Sequence, residues 1–283
     1  MTTGTWKRGN MLVSTKINSR PSERRTSLTE HWPEYAIEAS YIGLFMISAC
    51  SFGVLLFHPD SQVGRLIHNQ VLLRVVMGLA MGTTAVTLIY SPFGKRSGAH
   101  MNPSTTLTFL RLGKIRPVDG FFYMLCQYAG AIAGVGIASL ALGFRLSHPS
   151  VNYVVTLPGP YGQWWAFAAE MGITFVLMSV ILRVSNMPRW NRYTGLLAGL
   201  LVVVYISIEA PISGMSMNPA RTVGSALSAA NWTAIWIYFL APPLGMLLAA
   251  ELYVRQHGIT QVFCAKLHHD NDERCIFRCT YPR

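Results

Sequence analysis

Six apolar stretches, at 35–57, 71–90, 120–143, 163–184, 193–210 and 233–254, constrain what this chain can fold into more than any other feature. Each is long enough to cross a hydrocarbon core of about 30 Å, which takes roughly 20 helical residues. Lipid offers the backbone no hydrogen-bond partner, so a spanning segment satisfies its own N–H and C=O groups by becoming a helix. Composition agrees: 51% of the 283 residues are hydrophobic and 12% are charged, against about 25% charged in soluble domains. Trp32, Trp164, Trp165, Trp190 and Trp232 flank the stretches, where an interfacial aromatic belt places them. The expected class is an all-α, multi-pass membrane protein.

The net charge of +11 is arranged by side. With six crossings, Arg65, Arg74, Arg145 and Arg221 fall on one side, and the other Lys and Arg residues share the side of both termini. That is the positive-inside pattern, which places both termini in the cytoplasm. The basic balance therefore encodes orientation in a plasma or inner membrane, and no nucleic-acid partner is expected. Residues 1–33 are polar, rich in Ser, Thr and Arg, and read as a disordered basic cytoplasmic tail. The first apolar stretch is too long for the core of a cleavable signal.

Two short segments are near copies. Ser97-Gly98-Ala99-His100-Met101-Asn102-Pro103-Ser104-Thr105-Thr106 aligns with Ser213-Gly214-Met215-Ser216-Met217-Asn218-Pro219-Ala220-Arg221-Thr222. Each reads as an Asn cap, a Pro at the first helical position and a short helix behind it. The stretches that follow, 104–111 and 220–229, are half-helices too short to span. A loop that re-enters to membrane depth is tolerated only where it packs in protein or lines water. The repeat extends upstream, because Glu38 and Glu170 occupy matching places early in the first and fourth stretches. Each unit, about 35–145 and 162–255, holds three crossings. An odd number makes the copies inverted, with a binding or conduction site expected at their interface. Residues 145–161 carry Pro149, Pro158, Gly159 and Pro160 and read as an extracellular connection.

Over roughly residues 35–255 this arrangement resembles the aquaporin, or major intrinsic protein, family. The resemblance implies a bundle of six transmembrane helices plus two re-entrant half-helices, and a passive channel rather than an enzyme. No nucleophile, base and oxyanion-donor constellation appears in the sequence either. It implies pore asparagines at Asn102 and Asn218, each starting its half-helix while the carboxamide offers N–H to a passing molecule. Pro103 and Pro219 set the first turn, with Ser104 and Ala220 behind them. Ser104 departs from the Ala usual in the first motif; it is similar in size and can back-bond within the turn. Arg221 is implied at the narrowest part of the pore, near the extracellular mouth. Glu38 and Glu170 are implied to accept N–H groups from the re-entrant loops; a proton-carrying role is the competing reading. His100 is expected to support the first loop.

Matching outward from Asn218 puts Ile206 and Met215 beside Arg221, with Met77 from the second helix. This wall lacks the His common at the Ile206 position in water-selective members and the Trp/Phe pair of glycerol channels. Residues after Arg221 (Thr222, Ala226, Tyr238, Phe239) point to the water type. Water is the default permeant, with small uncharged solutes admitted by the apolar wall. The alternatives are a glycerol or small-solute facilitator with little water preference, and a coupled secondary transporter, which also uses inverted repeats. The resemblance also implies a homotetramer, with Gly130, Ala133, Gly134 and Ala138 available for close helix packing.

Residues 256–283 form a Cys- and His-containing tail on the cytoplasmic side, where disulfides are not expected. Cys264-x3-His268 and Cys275-x3-Cys279 supply four soft ligands at spacings that suit a tetrahedral zinc site. No other cofactor is called for. A disordered tail and a tail packed on the cytoplasmic face are the alternatives. Cys50 and Cys126, inside apolar helices, are expected to be inert.

Overall fold

The computed structural model describes residues 21–269 and 271–281. Its long helices follow the apolar stretches: α1 (Pro21–Phe57), α2 (Gln70–Tyr90), the short α3 (Pro103–Arg111), α4 (Pro117–Leu142), α5 (Gln163–Ser185), α6 (Thr194–Ile208), the short α7 (Pro219–Ala229) and α8 (Ile235–His257). Six of these elements are long and apolar enough to cross a membrane, and no strand occurs among the described residues. Local signals set the ends. Asn69 caps α2 by accepting from the N–H groups of Val71 and Leu72, and proline opens α3, α4 and α7. The helices turn large side chains such as Leu140, Phe121, Leu200 and Leu248 outward, as lipid-facing surfaces require.

The half-helices α3 and α7 hold 9 and 11 residues. At 1.5 Å per residue they reach about 14 to 17 Å, roughly half the hydrocarbon thickness. Each packs on the long helix of the opposite repeat, α3 on α8 and α7 on α4. Helix α1 lies along α4 and, in the matching place of the second repeat, α5 lies along α8. The first of these contacts is made by backbone. A Cβ on Gly130 would sit 2.0 Å from the Ala39 carbonyl oxygen, and one on Gly134 2.4 Å from that of Gly43. Gly130 and Gly134 are therefore used inside the protomer.

One expectation about the ends is corrected. Residues 21–33 are helical and continue into the first crossing, although Pro33 lies inside the helix and removes a donor. Tertiary contacts hold this turn: His31 Nδ1 donates to Asp119 Oδ1 at 2.8 Å and Tyr35 Oη to the same oxygen at 2.6 Å. Arg96 Nε donates to the fully buried Glu34 at 2.9 Å. Residues 1–20 of the expected tail lie outside the described residues. The C-terminal segment returns to the same end of the molecule, where Arg274 Nη1 donates to the Glu30 carbonyl at 3.1 Å. Both ends of the described chain therefore share one face, the termini face.

Candidate functional site

The loops before α3 and α7 repeat one conformation. Gly98 and Gly214 cap the short turns Pro92–Ser97 and Ala210–Ser213 with φ of 92° and 81°. Beyond each glycine two further residues are left-handed: Ala99 (54°) and Met101 (50°) in the first loop, Met215 (50°) and Met217 (55°) in the second. Such residues cost of order 1–3 kcal/mol each and persist only where the surroundings hold them.

Two fully buried carboxylates hold them here. Glu38 Oε1 accepts from Ser97 Oγ (2.9 Å) and the His100 N–H (3.0 Å), and its Oε2 from the Met101 N–H (2.7 Å) and Gln127 Nε2 (2.8 Å). Glu170 Oε1 accepts from Ser213 Oγ (2.8 Å) and the Ser216 N–H (2.6 Å), and its Oε2 from the Met217 N–H (2.8 Å). Each glutamate thus binds a serine and two loop amides at matching positions of the two repeats.

The two asparagines meet between the faces. Asn102 Oδ1 accepts from the Ser104 N–H at 2.9 Å, and Asn218 Oδ1 from the Ala220 and Arg221 N–H groups at 3.0 and 3.3 Å. Their Nδ2 groups cross over: Asn102 donates to the Met217 carbonyl and Asn218 to the Met101 carbonyl, both at 2.7 Å. A carboxamide carries two N–H donors, so each retains one beyond this exchange. Pro103 and Pro219 are the first residues of their helices, and Ala220 behind Pro219 is fully buried. Ser104 does not back-bond as expected; its buried Oγ has no partner among the described residues. It is the second helical residue, so the residue four back, His100, lies in the loop and offers no helical carbonyl.

Both asparagines line one cavity of about 570 Å³, shared by both loops. Met77, Ile206, Met215 and Arg221 all line it, although they come from α2, α6, the second loop and α7. Arg221 Nη1 is buried with no hydrogen-bond partner among the described residues. Arg74 also lines the cavity, with Nε donating to the Ser207 carbonyl at 3.2 Å. Sequence reasoning placed it only as a residue of the far side. The available signal was its i, i+3 spacing to Met77, which puts both on one helix face.

His100 Nε2 donates to the Ala265 carbonyl at 2.7 Å, and its Nδ1 pairs with Thr106 Oγ1 at 3.1 Å. Its ring stacks between Phe109 and Phe277, at 5.3 and 5.5 Å. His100 therefore joins the first loop to the C-terminal segment, which is packed on the termini face. Leu267 of that segment donates its N–H to the Gly98 carbonyl at 3.2 Å and lines the cavity.

Within this segment the four-ligand expectation is corrected at one position. Cys264, Cys275 and Cys279 come together with His269, not His268, and their ligand atoms lie within 4.8 Å of one another. His268 turns the other way and packs at a tilt against the Tyr90 ring, centroids 4.8 Å apart. In a fully extended run, alternation would put Cys264 and His268 on one side; bends at 265 and 267 break that alternation and bring His269 to Cys264 instead. Hydrogen bonding with Cys264 holds the Cys275 and Cys279 thiols below their ordinary range. Cys50 is buried and Cys126 half-buried, both as free thiols.

Residues 31–253 match the family model described as major intrinsic protein. Aquaporin NIP1-1 of Arabidopsis thaliana is 32% identical over 250 residues, covering 83% of this chain and 79% of that protein. Aquaporin NIP3-1 of Oryza sativa subsp. japonica is 37% identical over 174 residues, or 60% of this chain; the chain spans about half of that relative, 53% of its length. The aquaglyceroporin from Plasmodium falciparum shares the fold, with a TM-score of 0.66, 21% identity, and coverage of 79% of this chain and 96% of that one. With its matched residues running from the end of the N-terminal helical turn almost to the end of α8, this chain belongs to the major intrinsic protein family.

Proposed function

We propose that this protein is a passive transmembrane channel for water and small uncharged solutes that excludes protons and ions, and that it has no catalytic activity. One observation carries the reading. Two capped half-helix N-termini, from opposite repeats, meet at Asn102 and Asn218 on one cavity. Each N-terminus contributes about half a positive charge. Together they oppose a monovalent cation about 5 Å away by about 3 kcal/mol at an effective dielectric of 20. A neutral molecule feels no such penalty and receives N–H donors in place of lost hydration.

Arg221 adds a full charge to the cavity wall. Met77, Ile206 and Met215 line the same cavity with apolar side chains, which favours a second reading, a facilitator for glycerol-like solutes with little preference for water. The basic residues on the termini face support an orientation with both termini in the cytoplasm of a cell that carries the channel in its plasma or inner membrane. The homotetramer is part of the same reading and follows family likeness.

Stopped-flow light scattering on proteoliposomes tests it, with water, glycerol, urea and ammonia as permeants. Expected is flux that rises linearly with the gradient, needs no ion, and is fastest for water. Saturating or ion-dependent flux would refute the channel in favour of a coupled transporter, and equal permeation by all four would refute the preference for water.

A further inference from the structure

After α8 ends at His257, the chain makes the short turn Ile259–Gln261 and then runs without regular structure along the termini face. Besides the bonds through His100 and Gly98, further hydrogen bonds tie it to the helices and loops. Phe263 N–H donates to Asn186 Oδ1 at 2.7 Å, the Arg278 N–H to the Lys114 carbonyl at 2.9 Å, and Lys114 Nζ to Thr280 Oγ1 at 3.1 Å. Its buried apolar side chains include Val262, Leu267, Ile276 and Phe277. These side chains join the core of the helices, but the described residues between them have no helix or strand to fix their own path.

The four clustered side chains have the chemistry to fix it. Cys264 Sγ and Cys275 Sγ are 3.6 Å apart, and His269 Nε2 and Cys279 Sγ 3.0 Å. A tetrahedral zinc site, with Zn–S of about 2.3 Å and Zn–N of about 2.0–2.1 Å, has edges of roughly 3.8 Å between sulfurs and 3.6 Å between sulfur and nitrogen. The observed pairs and the 4.8 Å limit on the whole set bracket those values. A disulfide, at about 2.05 Å, would use two of the sulfurs and leave a thiol and the imidazole without a role. Three thiols and one imidazole are a closed structural set for this ion.

We propose that Cys264, His269, Cys275 and Cys279 bind one zinc-class divalent ion, and that this ion fastens Leu267 in the pore mouth on the termini face. Leu267 is two residues from His269 and three from Cys264, and it lines the same cavity as Asn102 and Arg221. The site closes a loop of the chain under the mouth, so the ion sets whether Leu267 stays there. The metal site stands on the cluster alone; its effect on flux rests on the channel reading above.

The test uses the full-length protein, loaded with zinc and freed of excess by dialysis. Metal analysis should return one zinc per protomer in the wild type and in His268→Ala, and less than a fifth of that in His269→Ala and in Cys275→Ser. Circular dichroism should show both ligand variants to be as helical as the wild type. Cobalt loading should give the absorption bands of tetrahedral thiolate coordination, which a merely structural histidine would not produce. Wild type without stoichiometric zinc, or a mass two hydrogens lighter that shows a disulfide, overturns the site. In proteoliposomes, chelation should raise wild-type water flux severalfold, while Cys275→Ser should start high and ignore the chelator. Leu267→Ala should conduct fast with its zinc retained. Zinc bound with no change of flux on chelation, while Leu267→Ala conducts, overturns the fastening role alone. Zinc bound with no flux from any variant overturns the channel reading and leaves the metal site standing.

Discussion

Replacing Glu38 with Gln preserves the shape of the side chain and turns one acceptor oxygen into an NH2 group. Each oxygen of Glu38 serves one loop amide, His100 N–H on one and Met101 N–H on the other. The side-chain partners can adapt, since the Ser97 hydroxyl can turn to accept and the Gln127 amide can flip. The backbone amides cannot. Whichever way the new amide is placed, one buried loop N–H loses its acceptor. A hydrogen bond to a charged group contributes about 1.5–3 kcal/mol. At about 2–4 °C per kcal/mol for a chain of this size, the unfolding temperature should fall by roughly 3 to 12 °C. Glu170→Gln should fall by a similar amount, because its oxygens divide the Ser216 and Met217 amides in the same way. Both variants should also conduct less water per correctly folded protein, since the left-handed loop residues lose part of what holds them. Thermal unfolding in detergent and stopped-flow permeability measure the two effects. Unchanged melting together with lost, pH-dependent flux would refute the reasoning and make these carboxylates proton carriers.

Removing the charge of Arg221 with Arg221→Ala should admit cations. At about 6 Å and an effective dielectric of 20 the lost repulsion is about 3 kcal/mol, or up to roughly a hundredfold in proton or potassium leak across proteoliposomes; an unchanged leak would count against the residue. Ile206→His adds a hydrogen-bonding ring to the cavity wall that Met77 and Met215 also line and should lower the ratio of glycerol to water permeability in the same vesicles. A higher ratio would show that the apolar wall does not favour the larger solute. Gly134→Val forces α1 and α4 apart, because even a Cβ there meets the Gly43 carbonyl oxygen at 2.4 Å. Overpacking of about 1–3 kcal/mol should lower the melting temperature by several degrees, and an unaltered melting curve would show that the helices part freely.

The six crossings and the two half-helix starts were legible in the sequence, because each is set by signals a few residues long. Apolar runs of spanning length demand helices wherever they occur in lipid, and an Asn followed by Pro supplies a cap and a first turn with no help from elsewhere. The duplication added inversion, since three crossings per unit turn the second copy over. Where the chain reaches across itself, the sequence is silent. Residues 1–33 read as a disordered tail, yet the helix runs back through Pro33 because His31 and Tyr35 are bound to Asp119, more than eighty positions away. Arg74 reads as one more basic residue of the far side, until α2 and α6 pack so that it faces the cavity. Cys264 pairs by spacing with His268, and the path of an irregular segment hands that place to His269. Ionic and hydrogen-bonding reach is a few ångströms, so such choices depend on which distant backbone lies beneath a side chain. The helices, their number, their inversion and the paired asparagines belong to the sequence itself. The pinning of the first turn, the membership of the cavity wall and which histidine joins the three cysteines were decided only by tertiary packing.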